Sequence, residues 1–325
     1  MDLEILASNL RRHWNDPGWW RKIVMPFAVR ATLVQPYFQY VHENEGIDVM
    51  AEEWDTLVIL DACRYDMFAA HNTLDGDLQR RVSKGSNTAE FLQQNFAGRT
   101  FDDTVYVTAN PQVDVNLEAP FHETVSVWRD EWDEAFNTVR PEAMVDATID
   151  AQERFPDKRI ISHFVQPHYP FIGEFGRTLV DEQAGMELSK RQATGETAES
   201  DHFNVWDLLQ QGVITEADLW KGYNENLQLT LDHVEDLLEE LVGRTVVTSD
   251  HGNLVGERPT PCPVPFKLYG HPPSVYADAL VTVPWLVVES ETRREIVEEA
   301  AVGDQQAGPD EEDDAEERLR ALGYL

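Results

Sequence analysis

Five short apolar runs divide the chain: WDTLVIL (54–60), TVYVTA (104–109), RIISHFVQ (159–166), RTVVTSD (244–250) and VPWLVV (283–288). They are continuous rather than alternating, which is the pattern of strands buried on both faces. Helical periodicity fills the intervals. It is clearest over 222–242, where Leu227, Leu231, Val234, Leu238 and Leu241 share one face, acids occupy the other, and the segment runs directly into a strand. This alternation predicts an α/β fold with a mostly parallel central sheet and helices on both faces. In such a fold ligands bind outside the carboxyl ends of the strands.

The same pattern divides the chain into an N-terminal arm (1–50), a central domain (51–290) and an acidic linker with a C-terminal helix (291–325). Residues 174–218 are polar with weak periodicity and read as an insertion or lid. The arm contains the aromatic, mildly basic stretch from Trp19 to Tyr40. Its prolines, Pro26 and Pro36, interrupt a long helix, so packing on the domain is favoured over lying on a membrane surface. AGPDEEDDAEE has too little apolar surface to fold alone, whereas the closing RLRALGYL has the apolar residues to dock a terminal helix on the body.

Charge narrows the function classes. The 325 residues carry 60 Asp and Glu against 26 Lys and Arg, a formal charge of -34. Binding a nucleic-acid backbone by counterion release is therefore excluded as the expected function. The excess runs along the whole chain, and Arg outnumbers Lys 20 to 6, a balance expected of a halophilic, archaeal protein in molar intracellular salt. Two cysteines, Cys63 and Cys262, argue against a disulfide scaffold. No run approaches 18 apolar residues, so no transmembrane segment is expected. Without a basic-then-apolar leader the expected location is cytoplasmic, with membrane-peripheral attachment as the alternative.

Chemistry-bearing residues gather at the predicted strand ends. Asp61 closes the first run in LDACRYD, and Asp250 with His251 closes another in TSDHGN. Two carboxylates and an imidazole on the ligand-binding edge form a candidate divalent-metal cradle, although an Asp-His-Gly tripeptide alone also serves as a simple turn. SKGSNTAEFL (83–92) places hydroxyls at a helix N-terminus, where they either cap the helix or act as nucleophiles. HFVQPHYPF brings His168 to a third strand end, and YGHPPS sets His271 in a turn before the last strand. His163 reads as packed within its strand and Cys63 as a small core residue.

Over residues 54–290 this order of motifs resembles the alkaline phosphatase superfamily, in particular its sulfatase-like branch of sulfatases, phosphodiesterases and lipoteichoic-acid-synthase-type phosphotransferases. The matching elements are Asp61, Arg64 and Asp66; Asp250 and His251; the PHYPF around His168; and Gly270, His271, Tyr276, Val283 and Pro284. The closing RLRALGYL is similar to the C-terminal end common in that branch. The resemblance implies one divalent ion (Mn, Zn, Mg or Ca) held by Asp61, Asp250 and His251. It nominates Ser86, four residues before a Glu-Phe pair, as nucleophile, with Thr88 and Ser83 as alternatives. His168 and His271 would contact the phosphoryl group or protonate the leaving oxygen. Arg64 would bind substrate anions or pair with Asp66.

Two departures refine this expectation. SKGSNTAEFL lacks the Pro and Arg of the element that sulfatases oxidise to formylglycine, and no Asp-x-x-x-His precedes His168. The expected activity is thus metal-dependent phosphoester or phosphodiester hydrolysis or phosphotransfer. Sulfate-ester hydrolysis and a non-catalytic binding scaffold are the alternatives. The implied substrates are small-molecule or glycan- or lipid-linked phosphoesters or sulfoesters, with no nucleic acid involved; the sequence does not specify an oligomeric state.

Overall fold

The computed structural model describes residues 14–15, 17–20, 24–179, 205–298 and 309–324. Most of the expected lid and the middle of the acidic linker lie outside the described residues. The main sheet has seven strands: β1 (Thr56–Leu60), β2 (Asp77–Val82), β3 (Phe101–Thr108), β4 (Phe121–Ser126), β5 (Arg159–Phe164), β6 (Thr245–Thr248) and β7 (Thr282–Val288). Their spatial order is β2-β7-β6-β1-β5-β3-β4. β1 lies at the centre, parallel to β5 with Leu57 opposite Ile161 and to β6 with Leu57 opposite Val246. Only β7 runs antiparallel to its neighbours. The mostly parallel sheet is the expected one. β2 and β4 are strands that the hydrophobic pattern misses, because DLQRRV and FHETVS are half-exposed edge strands without a continuous apolar run.

The alternation within β1 shows why a continuous apolar run is required. Leu57 and Ile59 face a core with Phe91, Phe96, Tyr106 and Trp285, while Val58 and Leu60 face another with Leu227, Leu231 and Val234. All four are fully buried, so truncating any of them to Ala or Gly costs about 2–5 kcal/mol, less for Val58. The main helices are α1 (Tyr65–His71), α2 (Thr88–Phe96), α3 (Pro141–Arg154), α4 (Glu216–Glu240) and α5 (Pro309–Ala321). α4 starts six residues before the apolar stripe suggests, because Thr215 and Asp218 form a reciprocal capping box there.

In the arm, Pro26 and Pro36 do not break the helical path. Each lies in the first turn of a helical segment, Met25–Val29 and Gln35–Tyr40, where the missing N–H is not needed. Val34 and Phe38 bury against Leu254, Leu268, Val275 and Leu280. No helix among the described residues is long and apolar enough to cross a membrane.

Candidate metal and phosphoester site

The carboxyl ends of the central strands β6, β1 and β5 converge. Asp61 follows β1 directly, and Asp250 lies two residues beyond β6. Backbone amides stitch the two ends together: Ala62 N–H donates to Asp250 Oδ1 (3.0 Å) and Cys63 N–H to Ser249 Oγ (2.8 Å). Ala62 adopts a left-handed φ of 59° to make this turn. From the opposite side, α4 supplies Tyr223, whose hydroxyl donates to the Ala62 carbonyl, and Asn226, which donates to the carbonyls of Pro167 and His168 at 3.1 Å each.

Asp61, Asp250 and His251 each present a ligand atom within 4.8 Å of the others, and all three are fully buried. Asp61 Oδ1 and Asp250 Oδ2 have no hydrogen-bond partner. His251 Nε2 lies 3.6 Å from the first and 3.4 Å from the second. Burial and the neighbouring Asp250 carboxylate raise Asp61 well above the usual carboxylate range. Two adjacent buried carboxylates with orphaned oxygens need a compensating charge, and a divalent cation fits this oxygen and nitrogen donor set.

The imidazole tautomers suit the same role. His251 Nδ1 faces the Gly252 carbonyl (2.8 Å), His168 Nδ1 the Tyr169 carbonyl (2.5 Å) and His271 Nδ1 the Asn253 Oδ1 (2.8 Å). Each partner can only accept, which assigns the proton to Nδ1 and leaves a lone pair on Nε2. Burial depresses His168 to about 4 and His271 well below its ordinary value, so both are neutral at pH 7. Neutral imidazoles with free Nε2 atoms accept protons before they can donate them.

The structure separates the three candidate nucleophiles. Ser86 Oγ is directed to Glu90 Oε2 (2.7 Å) and the Pro272 carbonyl (3.1 Å). Glu90 also accepts from Ser274, so this network ties the start of α2 to the loop carrying His271. Among the described residues no hydrogen bond links Ser86 to Asp61, Asp250 or His251. Ser83 Oγ donates to the Asp250 carbonyl. Thr88 instead reaches the cluster: its Oγ1 is 3.2 Å from His251 Nε2 and 3.4 Å from Asp61 Oδ2. The cause is local. Asn87 caps α2 by accepting from Glu90 N–H (3.0 Å), so Thr88 becomes the first helical residue and turns toward the strand ends.

Arg64 makes the pair with Asp66 that the sequence offered as one of its two roles. Its guanidinium donates to Asp66, Glu257 and the Asn253 carbonyl and stacks over Trp220 at 4.9 Å. It therefore braces α1 against the segment after His251. Sequence reading missed three contributors. His163 Nε2, unpartnered, points at the carboxylates (3.8 Å to Asp61, 4.0 Å to Asp250) instead of packing passively. Asn110, just beyond β3, donates to Asp61 Oδ2 at 2.7 Å. Tyr324, near the end of the chain, donates to the same oxygen and stacks on His168.

The sequence matches no protein-family model and no curated protein. Among solved structures, the chain is similar to the C-terminal periplasmic domain of EcEptC from Escherichia coli in complex with Zn, at 16% identity over 76% of each chain with a TM-score of 0.46. It is similar also to the phosphonate monoester hydrolase of Silicibacter pomeroyi, at 14% identity over 82% of this chain and 72% of that one, TM-score 0.39. A protein in the alkaline phosphatase superfamily from Vibrio parahaemolyticus matches at 9% identity over 85% and 70%, TM-score 0.35. Likeness at this level concerns the architecture alone.

Proposed function

We propose that the protein is a metal-dependent phosphoester hydrolase or phosphotransferase in which Thr88 is the nucleophile. The observation that carries this reading is the Thr88 hydroxyl set against two buried carboxylates with orphaned oxygens and a lone-pair imidazole nitrogen. Asp61, Asp250 and His251 would hold one divalent ion, with His163 beside them as a further donor. A divalent ion held there would supply positive charge favouring the Thr88 alkoxide and offsetting negative charge on the phosphoryl oxygens. Thr88 Oγ1 forms a bond to phosphorus as the bond to the leaving oxygen breaks. The proton that Thr88 gives up passes to an imidazole, His168 or His271, and from there to the leaving oxygen. Water or an acceptor alcohol then reverses these steps, releasing phosphate or a transferred phosphoryl group. Ser86 and Glu90 position Thr88 without entering the chemistry.

The test measures turnover of bis-aryl phosphate, aryl phosphate and aryl sulfate with Mn²⁺, Zn²⁺, Mg²⁺ or Ca²⁺. Metal content by elemental analysis is compared between the parent and Asp250→Asn. Phosphoester turnover that requires metal, with metal content lost in Asp250→Asn, supports the reading. Preferential sulfate-ester cleavage redirects it to a sulfatase. Absence of turnover across all metals, in the parent and in Tyr324→Ala alike, favours a non-catalytic scaffold.

A further inference from the structure

Tyr324 occupies the site just described. The Tyr324 hydroxyl donates to Asp61 Oδ2, accepts from Asn110 Nδ2 at 3.0 Å and lies 3.3 Å from Thr88 Oγ1. Its ring stacks on His168 with centroids 4.9 Å apart and planes within 7°, and meets His271 at 5.7 Å. Every group assigned above to attack or proton transfer is therefore in contact with this one side chain. Asp61, Thr88, Asp250, His251 and His168 are at most 1% exposed, and Tyr324 packs directly on Thr88 and His168 among them.

The placement is built by the chain. α5 ends in a Schellman turn in which Gly323 takes a φ of 80°, its N–H bonds to the Arg320 carbonyl, and Tyr324 N–H bonds to the Leu319 carbonyl at 3.0 Å. That turn swings Tyr324 off the helix axis into the site. The helix is anchored independently by buried Ala315, Leu319 and Leu322 and by Arg318, which pairs with Glu134 at 2.9 Å and lies over Trp132 at 4.7 Å.

Resting on the proposed phosphoester chemistry, we infer that His168, His271 and Asn110 form an aryl-oxygen subsite, with Tyr324 as its intramolecular occupant, holding the site closed until displaced. The phenol imitates the product of an aryl phosphoester: a planar ring stacked on one imidazole and edging a second, with its oxygen at the carboxylate and the nucleophile. The ligand class is thus aromatic alcohols and their phosphoesters. A two-state latch with about 1–10% open form weakens the apparent affinity of any site ligand about 10- to 100-fold.

The test compares the parent with Tyr324→Ala and with a chain ending at Leu322, both of which keep the anchoring face of α5; thermal melts confirm that they fold. Two readouts do not depend on turnover: the rate of diethyl pyrocarbonate modification of His168 and His271, read by peptide mass, and orthovanadate binding with Mn²⁺ by titration calorimetry. Both should rise about 10- to 100-fold when Tyr324 is gone. Aryl phosphate turnover at subsaturating substrate should rise in parallel, and the peptide RALGYL added in trans should inhibit the shortened chain competitively. Faster modification and tighter vanadate binding without turnover would uphold the latch while sinking the hydrolase reading. Unchanged modification and vanadate binding would overturn the latch. A fall in turnover on removing Tyr324 would also overturn it, assigning the phenol to catalysis instead.

Discussion

The proposed Thr88 nucleophile has a sharp consequence for three substitutions. Thr88→Val keeps the buried shape and deletes the hydroxyl, whose contacts at 3.2 to 3.4 Å are long and are worth about 0.5–1.5 kcal/mol of stability. Thr88→Ser keeps the oxygen and loses one buried methyl, about 1 kcal/mol. Ser86→Ala breaks the 2.7 Å bond to the Glu90 carboxylate, a charged acceptor, for about 1.5–3 kcal/mol. In stability, then, Ser86→Ala is the most damaging of the three, and none exhausts a typical margin of about 5–15 kcal/mol.

Turnover should rank the other way. Losing the attacking oxygen in Thr88→Val lowers kcat by at least about 10³-fold, equivalent to about 4 kcal/mol of transition-state stabilisation. Thr88→Ser stays within about tenfold of the parent, and so does Ser86→Ala, because its role is to hold the loop. Single-turnover assays of aryl phosphate, run well below each unfolding midpoint, separate folding from chemistry. Mass spectrometry of quenched reactions then looks for phosphate on the peptide containing Thr88. The assignment fails if Ser86→Ala abolishes turnover while Thr88→Val retains it, or if the adduct is on Ser86.

Arg64→Ala should lower stability by about 2–3 kcal/mol in urea titrations, less than a fully buried pair because Asp66 and Glu257 reach solvent. It should leave KM for aryl phosphate unchanged; a large rise in KM would restore Arg64 as a substrate ligand. In metal-free protein, His168 is held at about 4 by burial while the unfolded chain titrates near 6.5. The unfolded state therefore binds the extra proton in between, so stability is full above about pH 6.5 and falls as pH drops toward 4. His168→Gln should flatten that part of the profile, and an unchanged slope would count against a neutral imidazole. With a formal charge of -34, the unfolding midpoint should rise steeply from about 0.1 M to molar KCl as screening shortens the Debye length from about 10 to 3 Å. A flat profile would show that self-repulsion is not limiting.

The fold was legible where the pattern is forced by burial. β1 is apolar from Leu57 to Leu60 because both its faces are covered, and the same burial selects Ile160 and Ile161 in β5 and Val246 and Val247 in β6. Asp61, Asp250 and His251 were legible for a related reason: a carboxylate directly after such a run can only lie at the strand's carboxyl end, where α/β sheets bind ligands. Edge strands escape this logic, since β2 and β4 each have a half-exposed face that tolerates Arg, Gln or Glu.

The rest of the site depends on information that neighbouring residues in sequence do not carry. Ser86 and Thr88 are two residues apart, and which one faces the cluster is set by which residue caps α2. Asn87 followed by Glu90 three positions later is a capping signature, and reading it would have placed Thr88 at the first helical position. His163 sits inside an apolar run, where alternation gives it a face but not a partner; its role emerges only when β1 and β6 bring two carboxylates opposite its Nε2. Tyr324 lies 263 residues from Asp61 along the chain. Its one local sign is the glycine before it, which permits the Schellman turn. A short apolar tail after a polar helix predicts docking somewhere on the body. Only the tertiary fold makes that place the mouth of the site, and this is why the same residues that define the chemistry also define what shuts it.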